Sequence, residues 1–70
     1  MTKESKRYLE RKFKYTIQAA KDGYPNATKV YLYEIQGIVT YLYFMDELSQ
    51  YNYEKLHKLT YTIKKKYNIY

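Results

Sequence analysis

The amino-acid sequence predicts a single all-α domain built as a three-helix bundle. Three stretches carry apolar side chains at steps of three and four residues, and short segments rich in turn or capping residues separate them. With 70 residues and no cysteine, the chain forms one domain at most, without a disulfide or a thiolate metal site. The predicted helices cover residues 3–21, 27–47 and 50–67.

The first predicted helix has one apolar face and clear signals at both ends. Its apolar face comprises Leu9, Phe13, Thr16, Ile17 and Ala20. Thr2 is a suitable N-cap because its hydroxyl can accept a hydrogen bond from a free amide of the first turn. Gly23 suits the left-handed conformation that follows many helices, and Pro25 cannot continue this one.

The middle segment has two interpretations. As strands, the β-branched and aromatic residues on either side of Gln36-Gly37 would pair as a hairpin in an α-β-β-α domain. As a helix, the segment has two apolar stripes, of which one is Tyr31, Ile35, Ile38, Leu42 and Met45, and the other Val30, Tyr33, Gly37, Tyr41, Phe44 and Leu48. Two stripes suit a central helix with a neighbour on each side. We favour this helix, capped by Asn26 or Thr28.

The third predicted helix has the most complete local signals. Ser49 is a good N-cap, and Leu48 and Tyr53 occupy the two positions of a hydrophobic staple. Its core positions are Tyr53, Leu56, Thr60, Ile63 and Tyr67. Three lysines at 64–66 lie in the last turn, where cations complement the helix dipole. The tail at 68–70 is expected to fray.

Tyrosine dominates the composition and indicates self-association. The chain has 12 tyrosines but only six leucines, five isoleucines and two valines. Tyrosine has an apolar body and a polar tip, so it suits interfaces better than deep cores. A short chain with few aliphatic residues can gain core by pairing with a second copy. We therefore predict a homodimer, formed through the stripe of Val30, Tyr33, Gly37, Tyr41 and Phe44.

Enzymatic chemistry has little support in the sequence. His57 is the only histidine, and a lone histidine on a helix flank, here between Tyr53 and Tyr61, is usually a surface residue rather than a general base. The sequence contains no metal-ligand spacing, no glycine-rich phosphate loop and no nucleophile elbow. The prediction is a non-enzymatic protein without cofactor or metal.

The net charge of +6 favours an anionic partner, and DNA or RNA is the partner we predict. On the first helix, basic residues gather opposite the apolar face with tyrosines at their border, and the third helix adds a smaller basic group. The candidate nucleic-acid-binding residues are Lys3, Arg7, Tyr8, Arg11, Lys14, Tyr15, Lys58, Tyr61 and Lys65. The alternative is a small inhibitor that docks on a host protein through its tyrosines.

Membrane attachment is the least favoured of the binding modes. The first helix offers only Leu9, Phe13 and Ile17 as bulky groups for insertion at a lipid interface. The longest apolar run, residues 38–45, is too short to span a bilayer. No secretory signal is visible at the charged N-terminus, so we expect a cytoplasmic protein.

The second half of the chain resembles a group of small phage-encoded proteins. The residues concerned are Glu34-Ile35-Gln36-Gly37-Ile38-Val39-Thr40-Tyr41-Leu42-Tyr43-Phe44, then Glu47-Leu48-Ser49 and Tyr53-Glu54-Lys55-Leu56-His57-Lys58-Leu59. A helix with a central glycine, a turn with a serine cap and a Tyr-x-x-Leu helix are similar to helical accessory proteins of phages and prophages of low-GC Gram-positive bacteria. The resemblance implies a small modulator that acts by binding, in a bacterial host cell.

Overall fold

Three helices make up the fold of the computed structural model, which describes residues 1–69. They are α1 (Lys3–Lys21), α2 (Pro25–Phe44) and α3 (Gln50–Lys66). The central helix α2 packs against both α1 and α3, which contact each other much less. No strand occurs in the described part of the chain, and Gln36 and Gly37 lie inside α2. The all-α prediction is therefore confirmed, and the alternative hairpin is wrong.

The first and third helices begin at the predicted caps. The Thr2 hydroxyl accepts a hydrogen bond from the Ser5 amide at 3.0 Å, and the Ser49 hydroxyl accepts one from the Asn52 amide at 3.2 Å. Each bond satisfies one of the amides that a first turn leaves without an intrahelical partner. The N-termini of α1 and α3 are therefore determined by residues within a single helical turn.

The second helix begins two residues earlier than predicted, and neither Asn26 nor Thr28 caps it. Tyr24 is the N-cap and makes no side-chain capping bond, while Pro25 occupies the first helical position. Proline fits there because its backbone torsion is already helical and its missing amide has no intrahelical partner to lose. The Thr28 hydroxyl instead donates to the Tyr24 carbonyl at 2.7 Å.

Two positions after the last residue of each helix, the chain adopts the left-handed conformation. The residues at these positions are Gly23, Asp46 and Asn68, with φ of 81°, 57° and 54°. In each case the next amide reaches back to a carbonyl five residues earlier, at 2.8–3.0 Å, which is the Schellman arrangement. The predicted extension of α2 to residue 47 is wrong because Asp46 leaves the helical conformation.

The tail after α3 is packed, contrary to the predicted fraying. Ile69 is only 5% exposed and belongs to the hydrophobic core. Its amide donates to the Lys64 carbonyl at 2.8 Å, so the Schellman turn directs the side chain back onto the bundle. Tyr70, the last residue of the predicted frayed tail, lies outside the described residues.

The core uses one broad face of α2 rather than two stripes. Its buried residues are Thr28, Leu32, Ile35, Val39 and Leu42. Leu32 and Val39 belonged to neither predicted stripe, yet both are 1% exposed. From the other helices come Leu9, Phe13, Thr16, Thr60 and Ile63. The two-stripe prediction is wrong because α1 and α3 both pack against this one face of α2. The opposite face of α2 remains uncovered.

Candidate functional site

The basic face of α1 consists of Lys3, Arg7, Arg11 and Lys14, all of them exposed. Steps of four, four and three residues keep these side chains on one side of the helix. Within residues 1–69, the only side-chain ion pair joins Lys12 to Glu34. None of the four cations of the basic face is therefore held in a salt bridge with a carboxylate described by the structure.

Two acidic residues of α1 border the basic face, and the first, Glu4, is exposed three residues before Arg7. Glu10 is exposed on α1, three residues after Arg7 and four before Lys14, so it neighbours both on the helix surface. Its carboxylate lowers the positive potential midway along the face. The position of Glu10 between Arg7 and Lys14 follows from helical spacing alone.

The two tyrosines of α1 have different surroundings. Tyr15 is 54% exposed beside the basic face. Tyr8 is 49% exposed, but it lines a furrow between α1 and α2 together with Gly37, Ile38 and Tyr41. The structure therefore brings Tyr15 to the basic face, whereas it places Tyr8 next to the outside of α2.

Lys12 is a structural cation that joins α1 to α2. Its ammonium group donates to the Glu34 carboxylate and lies 5.8 Å from the ring centroid of Tyr8 and 5.2 Å from that of Tyr31. The hydrogen bond to Glu34 raises the pKa of Lys12 above its ordinary value. Because this favours the charged form, Lys12 remains protonated at neutral pH and loses its proton only in strongly alkaline solution. Lys12 is accordingly not part of the basic face.

The three candidate residues of α3 lie along its outer surface. Tyr61 and Lys65 follow Lys58 at three and seven residues, which places them on one side of the helix. The Lys65 ammonium lies 5.7 Å from the ring centroid of Tyr61. Lys58 also lines a groove whose opposite wall includes Lys14. Lys58 is thus the only one of the three that shares a cavity with a residue of the basic face.

This groove, the α1–α3 groove, has a volume of about 990 Å³ and combines an apolar floor with a basic rim. Leu9, Phe13, Ile17, Leu56 and Leu59 supply apolar surface, while Lys6, Lys14, Lys55 and Lys58 supply the charge. Glu10 is its one acidic lining residue. Such a groove suits an amphipathic segment with acidic flanks.

The stripe predicted for self-association forms the uncovered side of α2, which we call the outer face of α2. Val30, Tyr33, Tyr41 and Phe44 are 54%, 55%, 61% and 74% exposed. At Gly37, between them, an added Cβ would meet no other atom within 4 Å. Large apolar side chains exposed together usually mark an interaction surface.

His57 is half-buried, not the surface residue predicted. Its ring lies edge-on to Tyr53 at 4.5 Å, and Tyr53 stacks on Tyr43 at 4.3 Å. Its Nε2 atom is buried and has no hydrogen-bond partner among the residues described. The aromatic contacts make His57 part of the packing between α2 and α3. Along residues 1–69, no three histidine, aspartate or glutamate side chains cluster as metal ligands.

Comparisons with known proteins give no assignment. No protein-family model matches the chain, and neither the curated proteins nor the solved structures include a significant match. Across the described residues, none of the helices combines the length and apolarity needed to cross a membrane.

Proposed function

We propose that this chain is a non-enzymatic nucleic-acid-binding protein, a small regulator of a phage or mobile element that acts in the bacterial cytoplasm. The observation that supports this proposal best is the basic face of α1, with four exposed cations and no carboxylate partner within residues 1–69. Unpaired surface cations attract phosphates because binding releases the counterions condensed on the nucleic acid.

The dimensions of the basic face suit a nucleic-acid backbone. From Lys3 to Lys14 the helix advances roughly 16 Å at about 1.5 Å per residue, a length that covers several successive phosphates of one strand. Tyr15 can stack on a base or donate its hydroxyl to a phosphate oxygen. Contacts of this kind favour backbone binding with little base specificity.

The first test is binding of mixed-sequence DNA and RNA across a salt series. Affinity should fall steeply as salt rises, because each neutralised phosphate releases counterions. The double substitution Arg7→Ala and Arg11→Ala should reduce the slope of log affinity against log salt by roughly one to two units. Fluorescence anisotropy with short labelled oligonucleotides measures both slopes.

The matched control removes two positive charges elsewhere. Lys64→Ala with Lys66→Ala changes the net charge equally at the last turn of α3, outside the candidate residues, and should leave the slope nearly unchanged. Equal effects of the two double variants would mean that net charge, not the basic face, determines binding. Absence of binding at low salt would refute the proposal.

The second candidate function is inhibition or modulation of a host protein, and the α1–α3 groove is the observation that favours it. Leu59 is 43% exposed in a groove edged by lysines, so the groove can accept the apolar side of an acidic amphipathic helix. If nucleic acid fails to bind at low salt while a host protein is captured in a manner that Leu59→Glu abolishes, this second function replaces the first.

A further inference from the structure

The outer face of α2 is symmetric about its central glycine. Tyr33 and Tyr41 lie four residues before and after Gly37, and Val30 and Phe44 lie seven residues before and after it. When a two-fold axis passes between two antiparallel helices at their crossing point, a residue n positions before that point lies opposite the residue n positions after it in the other copy. In an antiparallel pair of α2 helices crossing at Gly37, Tyr33 therefore meets Tyr41 of the second copy, and Val30 meets Phe44.

Charge also favours a second copy on this surface. The chain carries +6, and α1 and α3 present most of that charge, so two copies repel one another through those helices. Between Lys29 and Asp46 the only charged residue is Glu34, and its carboxylate is paired with Lys12. Lys64 of α3 lies at the edge of this face, with its ammonium 5.9 Å from the ring centroid of Tyr33. The outer face of α2 still carries less charge than the exposed sides of α1 and α3, so two like-charged copies can meet there at a lower electrostatic cost.

The exposed area on this face meets the lower limit for a specific dimer. A covered aromatic side chain buries about 150–250 Å², and three aromatic residues here are more than half exposed. With Val30, each copy can contribute up to roughly 500 Å², or about 1,000 Å² for the pair. An interface of this size is expected to give a dissociation constant in the micromolar range.

We propose that two copies of the chain form a two-fold symmetric dimer through the outer faces of their α2 helices, which cross antiparallel at Gly37. The absence of a side chain at Gly37 lets the two helix backbones approach closely at the crossing point. Within one copy this space is empty. The dimer leaves the basic faces of both α1 helices free, and it does not depend on nucleic-acid binding.

The mass in solution tests the interface. Sedimentation equilibrium from about 1 µM to 500 µM, a range bracketing the expected dissociation constant, should show an 8.6 kDa species giving way to one of twice that mass. Tyr41→Glu should weaken the dimer at least about 30-fold, because the charge enters the interface twice by symmetry. The control is Tyr51→Glu, since Tyr51 is 72% exposed on α3, and it should leave the dissociation constant unchanged.

Thiol cross-linking tests the antiparallel arrangement, because the chain has no native cysteine. A bifunctional thiol reagent of about 10 Å, near the separation of packed helix axes, then joins cysteines that face each other across the interface. Val30→Cys should cross-link efficiently only when mixed with Phe44→Cys, because two Val30 positions would lie about 21 Å apart along the antiparallel axes.

Two results would overturn the dimer itself, and one would overturn its antiparallel crossing. A single 8.6 kDa species at the highest concentration would overturn the proposal, as would a dimer that Tyr41→Glu leaves intact. Efficient cross-linking of Val30→Cys to itself would overturn the antiparallel crossing. Circular dichroism shows whether Tyr41→Glu remains helical, and the cross-linking variants introduce no charge into the interface.

Discussion

At the scale of single residues, the two glycines differ in whether the backbone conformation requires them. An added Cβ would meet nothing within 4 Å at either Gly23 or Gly37. Gly23 has a φ of 81°, a conformation that costs other L-residues free energy. Gly37 lies inside α2, and nothing among the described residues requires glycine there.

Alanine should therefore change stability in opposite directions at these positions. Gly23→Ala should lower the free energy of unfolding by about 1–2 kcal/mol because of left-handed strain. Gly37→Ala should raise it by about 0.5–1 kcal/mol, since alanine is the better helix former. Urea unfolding at submicromolar concentration, below the dissociation constant expected for the proposed dimer, measures both. A loss of stability in the Gly37 variant would contradict the open surroundings of that position.

At the scale of elements, each helix is fixed by its ends as much as by its core face. The same Schellman turn follows Lys21, Phe44 and Lys66, although only the first turn contains glycine. Asp46 and Asn68 can replace it because short polar side chains tolerate the left-handed conformation better than most. At the end of α3, this turn returns the chain to the core.

Ile69 should consequently contribute to stability as a core residue. Ile69→Ala should lower the free energy of unfolding by about 2–4 kcal/mol, the cost expected for truncating a buried isoleucine. The comparison is Val30→Ala at an exposed site, with an expected change of about 0.5 kcal/mol or less in the monomer. Thermal or urea unfolding provides both values, and similar small changes would mean that the tail is frayed after all.

At the scale of the whole molecule, the net positive charge opposes folding, although it favours the proposed binding to nucleic acid. Thirteen lysines and arginines face seven acids, and the described residues form one side-chain ion pair. The remaining cations repel one another over distances comparable to the Debye length at low salt. Salt should therefore stabilise the folded chain even as it weakens the proposed binding to nucleic acid.

The melting temperature should rise with ionic strength. Between about 20 mM and 300 mM salt the screening length shrinks severalfold, and relief of about 1 kcal/mol corresponds to roughly 4–8 °C for a domain of this size. Removing two charges with Arg7→Ala and Arg11→Ala should reduce this rise. Differential scanning calorimetry measures it, and a melting temperature independent of salt would show that self-repulsion is negligible.

Local sequence signals determined where two of the helices begin and where the first one ends. Thr2, Ser49 and Gly23 act through bonds or torsions within one helical turn, so their effect does not depend on the rest of the fold. The core faces of α1 and α3 followed from helical spacing because each of these helices has one neighbour to cover. The basic face of α1 followed from the same spacing, since exposed side chains need no partner.

Only the tertiary structure decided what depends on contacts between distant segments. Almost every side of α2 carries apolar residues, so periodicity could not show that Leu32 and Val39 point inward while Tyr33 and Tyr41 point outward. The pairing of Lys12 with Glu34 and the groove between α1 and α3 likewise arise from packing of separate helices. The sequence by itself determined the starts and core faces of α1 and α3, because local bonds and helical spacing suffice for these. Packing between helices determined the buried face of α2 and which surfaces of the molecule remain exposed.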